Sequence, residues 1–181
     1  MANTVANVTT GKPNAAGAIY RAPLGTTLPT DATTALPVAF LAMGYCSEDG
    51  VVNENSPESD SIKAWGGDTV LTYQESKEDT FQFTMIEAEN INVLKAVYGS
   101  TNVTSASDAI TVQATADEPE EAVWVIDMVY RGDKAKRIVI PDGKISEIGE
   151  ISYTDTDAVG YEVTVSAMPD SNGVTHYEYI A

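Results

Sequence analysis

A two-residue alternation of apolar and polar side chains recurs after residue 38 and constrains the fold more than any other feature. Residues 80–85 and residues 110–115 alternate strictly, which is the period of a strand with one face buried and the other in water. Residues 122–130 are apolar on both faces except at Asp127, as expected of a strand that protein covers on both sides. These segments predict a mainly β fold.

Turn residues divide the C-terminal half into strands. Arg-Gly-Asp-Lys at residues 131–134 and Pro-Asp-Gly at residues 141–143 each favour a tight hairpin turn, because glycine accepts a positive φ and proline fixes φ. Polar stretches at residues 154–158 and 169–173 separate the last strands. The spacing predicts an antiparallel meander that continues to the C terminus.

One segment has the periodicity of a helix. Residues 90–98 place apolar side chains three and four positions apart, so that they form one stripe on an α-helix. Asn90 can cap the start of this helix, and Gly99 can adopt the left-handed conformation that closes it. The stripe and the residues adjoining it comprise Ile91, Val93, Leu94, Val97 and Tyr98.

The N-terminal segment, residues 1–37, differs from the rest in containing half of the chain's 8 prolines. Proline lacks an amide hydrogen and fixes φ, so this spacing excludes a long helix and interrupts strands. We expect an extended arm that becomes ordered by lying on other protein, with one short strand within residues 15–24. A single β-rich domain, residues 38–181, would follow the arm.

Residues 47–68 show neither helical nor strand periodicity. The segment is acidic and contains Pro57 and three glycines. These features predict a long loop, and loops of this length in a compact domain usually have a function.

The charge of the chain limits its partners. It has 27 acidic against 10 basic residues, a net charge of −17, whereas binding to nucleic acid requires Lys and Arg to neutralise phosphates. No basic residue follows Lys144. Such a surface keeps a protein soluble, and it would also let DNA pass close by without adhering. We predict no membrane insertion, because no apolar run is long enough to span a bilayer, and no export signal in residues 1–10.

Residue types that carry catalysis or bind metals are scarce. The chain has one histidine, His176, and one cysteine, Cys46, so a zinc site is excluded and no nucleophile motif is present. We expect a surface strand histidine, a small buried cysteine, no cofactor and no enzymatic activity. A basic cluster, Arg131, Lys134, Lys136 and Arg137, would pair with acids on a neighbouring subunit or element, with DNA contact as the alternative.

Several short motifs carry a family resemblance. They are Gly-Lys-Pro at residues 11–13, Ala-Pro-Leu-Gly-Thr-Thr-Leu-Pro-Thr-Asp-Ala at residues 22–32, Leu-Ala-Met-Gly-Tyr-Cys-Ser-Glu-Asp-Gly-Val at residues 41–51, Trp-Gly-Gly-Asp at residues 65–68, and the stretch at residues 81–99. Together they make the chain resemble the major tail proteins, or tail tube proteins, of long-tailed bacteriophages that infect Gram-positive bacteria. The match fades after residue 103.

The resemblance implies a β-sandwich or half-barrel with one short flanking α-helix, a fold shared with the type VI secretion tube protein. Subunits of the family form hexameric rings that stack, through the N-terminal arm and a long loop, into the conduit for DNA ejection. Its partners would be further copies of the chain, the tape measure protein, and tail tip or terminator proteins. The protein would be made in the bacterial host cytoplasm and reside in the virion tail.

The resemblance also suggests roles for particular residues. The helix would pack on the sandwich through Ile91, Leu94, Val97 and Tyr98. The inter-ring contact would involve Trp65, Gly66, Gly67 and Asp68. The lumen would be lined by acids from the last strands, with Glu147, Glu150 and Glu162 as candidates.

Two other classes share the strand pattern. An extracellular β-sandwich that binds carbohydrate or forms fimbriae is disfavoured by the lack of an export signal and of an aromatic cluster, since Trp65 and Trp124 lie far apart in sequence. A decoration protein or a tail terminator protein is the closer alternative within the same kind of virion.

Overall fold

The computed structural model describes residues 3–15, 17–107 and 109–181. Strands account for 49% and helices for 6% of it, which confirms the mainly β class with one α-helix. After a 3-10 turn at Val5–Asn7, the elements are β1 (Lys12–Pro13), β2 (Ile19–Pro23), β3 (Leu41–Ala42), β4 (Cys46–Lys63), β5 (Thr69–Met85), α1 (Ile91–Tyr98), β6 (Val103–Ala106), β7 (Ala109–Val112), β8 (Ala122–Tyr130), β9 (Lys134–Ile148), β10 (Tyr161–Ala167) and β11 (Tyr177–Ile180).

Nine strands form one antiparallel sheet in the order β3-β2-β8-β9-β10-β5-β4, with β1 added beside β8 and β11 beside β9. Strands β6 and β7 make a separate hairpin. The predicted meander holds from β8 to β10 but is wrong at its last step, because β11 pairs with β9 and not with β10. The length of β9 explains this, since one of its edges accepts β11 over residues 136–139 and β10 over residues 143–148.

The hairpin turn predicted at residues 141–143 is also wrong, because β9 runs through it. The pairing of β9 with β8 shifts register there, so that β9 has one more residue than β8 between two successive pairs. This is a β-bulge, where a sheet tolerates proline. Gly143 is required for packing, since a Cβ on it would lie 2.7 Å from Trp124 Cδ1 and 2.9 Å from Val165 Cγ1.

The predicted loop at residues 47–68 is a long hairpin instead. Strand β4 pairs with β5 from Cys46↔Met85 to Lys63↔Thr69, and only residues 64–68 form the turn. Both faces of the distal hairpin are exposed. Neither face therefore needs an apolar row, and the alternation that reveals a half-buried strand is absent from the sequence.

Side chains are buried on both faces of the central strands. One cluster contains Phe81, Phe83, Trp124 and Val163 together with the buried face of α1. The second, smaller cluster is centred on Val125 with neighbours from β2, β8 and β9. Strand β8 contributes to both, which confirms that protein covers it on both sides.

Helix α1 covers the first cluster. Asn90 Oδ1 accepts a hydrogen bond of 2.9 Å from the amide of Asn92, as expected for the start of the helix. Gly99 follows with a positive φ of 95°, but its ψ of 145° differs from the left-handed helical conformation predicted for it. Leu94 and Val97 are buried, and Ile91 and Tyr98 pack against the cluster with part of their surface exposed. Two further residues, Val93 and Ala96, are also buried.

Part of the predicted arm belongs to the sheet. Strand β2 lies between β8 and β3, with Ile19 and Ala22 buried, so the short strand predicted in this region is present. Arg137 Nη1 donates to the carbonyls of Asp31 (3.0 Å) and Thr34 (2.8 Å). The arm thus lies on its own domain. Residues 1, 2 and 16 of the predicted arm are outside the described residues.

Candidate assembly surfaces

The distal part of the β4–β5 hairpin extends beyond the sheet. Strand β10 pairs with β5 only as far as Ser166↔Thr80, whereas the β4–β5 ladder continues to Lys63↔Thr69. Beyond Thr80 the hairpin is therefore two-stranded. A two-stranded ribbon is marginally stable in water unless other protein covers it.

The distal hairpin displays apolar side chains. Each is between 42% and 62% exposed, and the set consists of Ile62, Val70, Leu71 and Tyr73. Large apolar side chains concentrated on a thin projection are typical of a surface that a partner covers.

Trp65 lies at the tip of this hairpin with 106% of its reference surface exposed. The turn is closed by hydrogen bonds from Ala64 N to Asp68 O (2.7 Å) and from Gly67 N to Ala64 O (3.0 Å). Gly66 (φ 125°) and Gly67 (φ 99°) adopt conformations that side chains disfavour. The four residues that the resemblance suggested for an inter-ring contact thus lie in and beside this turn.

Where the hairpin leaves the sheet, Asp79 anchors the chain that precedes β11. Its carboxylate, 3% exposed, accepts hydrogen bonds from Asn53 Nδ2 (2.9 Å) and Thr175 Oγ1 (2.5 Å) and lies 2.5 Å from His176 Nδ1. Burial alone would raise the pKa of Asp79, but the hydrogen bonds from Thr175, His176 and Asn53 together lower it below the ordinary value.

His176 was predicted as a surface strand residue, and this is wrong. It immediately precedes β11, its side chain is 14% exposed, and its ring meets Phe81 edge-on at 5.2 Å between centroids. The sequence reasoning missed Asp79 altogether. In the sequence, the one indication of a structural role for Asp79 is its position directly before the alternating residues 80–85 of β5.

Two of the three predicted lumen acids lie on the polar face of the sheet. Glu162 alternates with the buried Tyr161 and Val163 of β10, and Gln82 Nε2 donates to Glu162 Oε1 at 2.7 Å. Glu147 is paired with Thr164, the next outward residue of β10. The third acid, Glu150, is exposed and lies just beyond the end of β9. Hydroxyl groups of Ser146 and Ser166, 2.8 Å apart, complete the row.

The basic cluster is divided between two environments. Arg137 forms a buried bidentate pair with Asp127 (2.7 and 2.8 Å), the exception in the apolar β8, and Lys136 pairs with Glu178 of β11. The hydrogen bond to Asp127 raises the pKa of Arg137 despite burial. Both side chains therefore pair with a neighbouring element of the same chain. Arg131 and Lys134 are exposed at the β8–β9 turn.

A cleft of about 1000 Å³ lies between the arm and the start of β4. Its lining includes Lys12 of β1, Met128 of β8, and Tyr45, Cys46 and Glu48 at the start of β4. Cys46 is half-buried and packs against the first cluster. Burial, and secondarily the charge of Glu87, raises the pKa of the Cys46 thiol to about 11, so the reactive thiolate is scarce at neutral pH.

The described residues form neither a metal-ligand cluster nor a membrane-spanning helix. Within them, no three His, Cys, Asp or Glu side chains cluster as metal ligands would. No helix in that part of the chain is long and apolar enough to cross a membrane.

Comparison with known protein families identifies a match over nearly the whole chain. The model of a family described as phage tail tube protein matches residues 5–181, which extends the likeness well beyond residue 103, where the sequence motifs fade. A search of curated proteins found no relative.

Proposed function

The chain belongs to the phage tail tube protein family, and from that premise we propose that it forms hexameric rings that stack into the conduit for DNA ejection. A structural role in the virion tail follows from the family itself. The ring size, the stacking mode and the passage of DNA are the proposal. No catalytic step is part of it.

The observation that carries the proposal is the two-stranded hairpin with its exposed apolar residues and its terminal Trp65. Ring stacking would cover these side chains with neighbouring subunits and stabilise the ribbon. The tip residues, Trp65 to Asp68, would contact the next ring. A contact between two different surfaces of identical subunits can repeat indefinitely along an axis.

The open edges of the sheet support ring formation. The path of strands ends at β3 on one side and β4 on the other, and open edges promote pairing with another chain. Joining strands between subunits would close the sheet around a lumen. The polar face with Glu147 and Glu162, and Glu150 beside it, would line that lumen, where acids repel the phosphates of DNA.

The other partners follow from the same proposal. The lumen of an assembled tube would enclose the tape measure protein, and the ends of the tube would meet tail tip and terminator proteins. Synthesis would take place in the bacterial host cytoplasm, with assembly before release.

Negative-stain electron microscopy of the purified protein over a range of concentrations tests the proposal. Rings or hollow tubes are expected. Replacing Trp65 with Ala should raise the concentration needed for assembly about thirtyfold or more, because truncating a central interface Trp costs about 2 kcal/mol or more.

The matched control is Tyr153→Ala, since Tyr153 is an aromatic residue 73% exposed on the body of the subunit. It should assemble like the parent chain. Monomers at every concentration would contradict self-assembly, and equal effects of the two substitutions would contradict the role of the tip.

A further inference from the structure

The cleft beside the arm has the properties of a receptor for an aromatic side chain. Its volume of about 1000 Å³ is at the upper end of ordinary ligand pockets and accommodates an indole with adjoining backbone. Tyr45, which is 76% exposed, Tyr130 and the thioether of Met128 line it. Aromatic rings and methionine sulfur are favourable neighbours for tryptophan.

The hairpin tip matches the cleft in charge as well. Trp65 lies between Lys63 and Asp68, both exposed. The lining of the cleft includes the acids Glu48, Asp49 and Glu87, and Lys12 of the arm. The lining of the cleft therefore contains a charge opposite to each charge of the tip.

The tip of a chain cannot reach its own cleft. Strand β4 begins at Cys46, which lines the cleft, and ends at Lys63, next to the tip. At about 3.3 Å per residue, its ends are on the order of 50 Å apart. Cleft and tip thus lie at opposite ends of the same strand pair.

We propose that the Trp65 tip of one subunit inserts into this cleft of a subunit in the adjacent ring. The inference rests on the proposed function and specifies which surfaces meet. A second copy of the chain is the occupant, because the charges are complementary and because the donor and the receptor are separate surfaces. A docked pair of subunits then keeps one free tip and one free cleft, so the contact propagates head to tail.

Cysteine cross-linking tests the contact in the full-length chain. In a Cys46→Ala background, Ala64→Cys is placed beside Trp65 and Glu48→Cys is placed on the rim of the cleft. Mild oxidation should give a ladder of covalent multimers in denaturing gels without reductant. The matched control pairs Ala64→Cys with Asp155→Cys, an exposed position outside the cleft. Ala64→Cys alone can give no more than dimers.

The cleft pair should yield on the order of tenfold more multimers than the control pair, because docked thiols have millimolar effective concentrations. Equal yields from the two pairs, with tubes visible by electron microscopy, would overturn the inference and leave the proposed function standing. Absence of both tubes and ladders would overturn both. In assembled parent tubes, Trp65 fluorescence should also lose its quenching by acrylamide, whereas the buried Trp124 is protected in either state; persistent quenching would overturn the insertion.

Discussion

Asp79 connects the base of the hairpin to the chain before β11 through Asn53, Thr175 and His176. All these contacts are lost or weakened when the carboxylate is replaced. Asp79→Asn should lower the free energy of unfolding of the unassembled subunit by about 1 to 3 kcal/mol, because an amide leaves buried donors without a matching acceptor. Urea denaturation measures this, with the exposed Asp155→Asn as the control.

The same carboxylate gives a pH dependence of known sign. Its pKa is lower in the folded chain than the ordinary value, so its contribution to stability is complete above the unfolded pKa, about 3.9, and is lost as the pH falls through the folded pKa. The parent chain should therefore lose more stability on acidification than Asp79→Asn. Parallel stability curves for the two chains would contradict this assignment.

A substitution at Gly143 tests whether the bulge in β9 is needed for close packing against the core. In Gly143→Ala the new Cβ would meet Trp124, Val165 and Ile140 within 3.2 Å, and these side chains are buried. Overpacking of this kind costs about 1 to 3 kcal/mol, which should appear as a lower thermal midpoint. In the control Gly11→Ala, the nearest atom is the flexible Met128 Sδ at 3.1 Å, and a smaller loss is expected. Equal midpoints would show that the core relaxes around the methyl group.

At the scale of elements, sequence patterns predicted the helix and the strands that bury at least one face. Helix α1 and strand β8 have the predicted extents within one residue, because burial on a stripe or on both faces leaves a period in the sequence. The β4–β5 hairpin buries neither face in its distal half, so the sequence of that half has no such period. Its regularity comes from backbone pairing alone.

The two candidate surfaces, the hairpin tip and the cleft, differ in how far the sequence predicts them. The tip residues at 65–68 were suggested together, because Trp-Gly-Gly-Asp is one of the motifs that carry the family resemblance. Their receptor was not, because the cleft joins residues such as Lys12, Glu48 and Met128 that are distant in sequence. The turn predicted at residues 141–143 failed for a related reason, since a β-bulge beside a buried Trp needs the same Pro and Gly as a turn.

At the scale of the whole molecule, the acidic charge opposes assembly and the hairpin favours it. Subunits with a net charge of −17 repel one another, and ionic strength screens this repulsion over about 10 Å at 0.1 M salt. Specific contacts must therefore be close and apolar. The exposed hairpin residues and Trp65 provide such contacts, whereas the acids remain available for the lumen.

The hairpin should also set the spacing between rings. If the tip of one subunit occupies the cleft of the next, the axial repeat is no longer than the strand that joins them, about 55 Å at 3.3 Å per residue. Two pairs in the distal ladder, Ser56↔Glu78 and Pro57↔Lys77, can be removed together. An even number of residues is lost from each strand, so the remaining side chains keep their faces.

This deletion of Ser56, Pro57, Lys77 and Glu78 should shorten the axial repeat by up to about 7 Å, two residues of strand rise. The repeat is measured from layer lines in electron micrographs of the tubes. Removing residues 154–157, an exposed turn on the body of the subunit, should leave the repeat unchanged. A repeat unaffected by the hairpin deletion would mean that the rings rest on the bodies of the subunits, with the hairpin packed alongside as a brace.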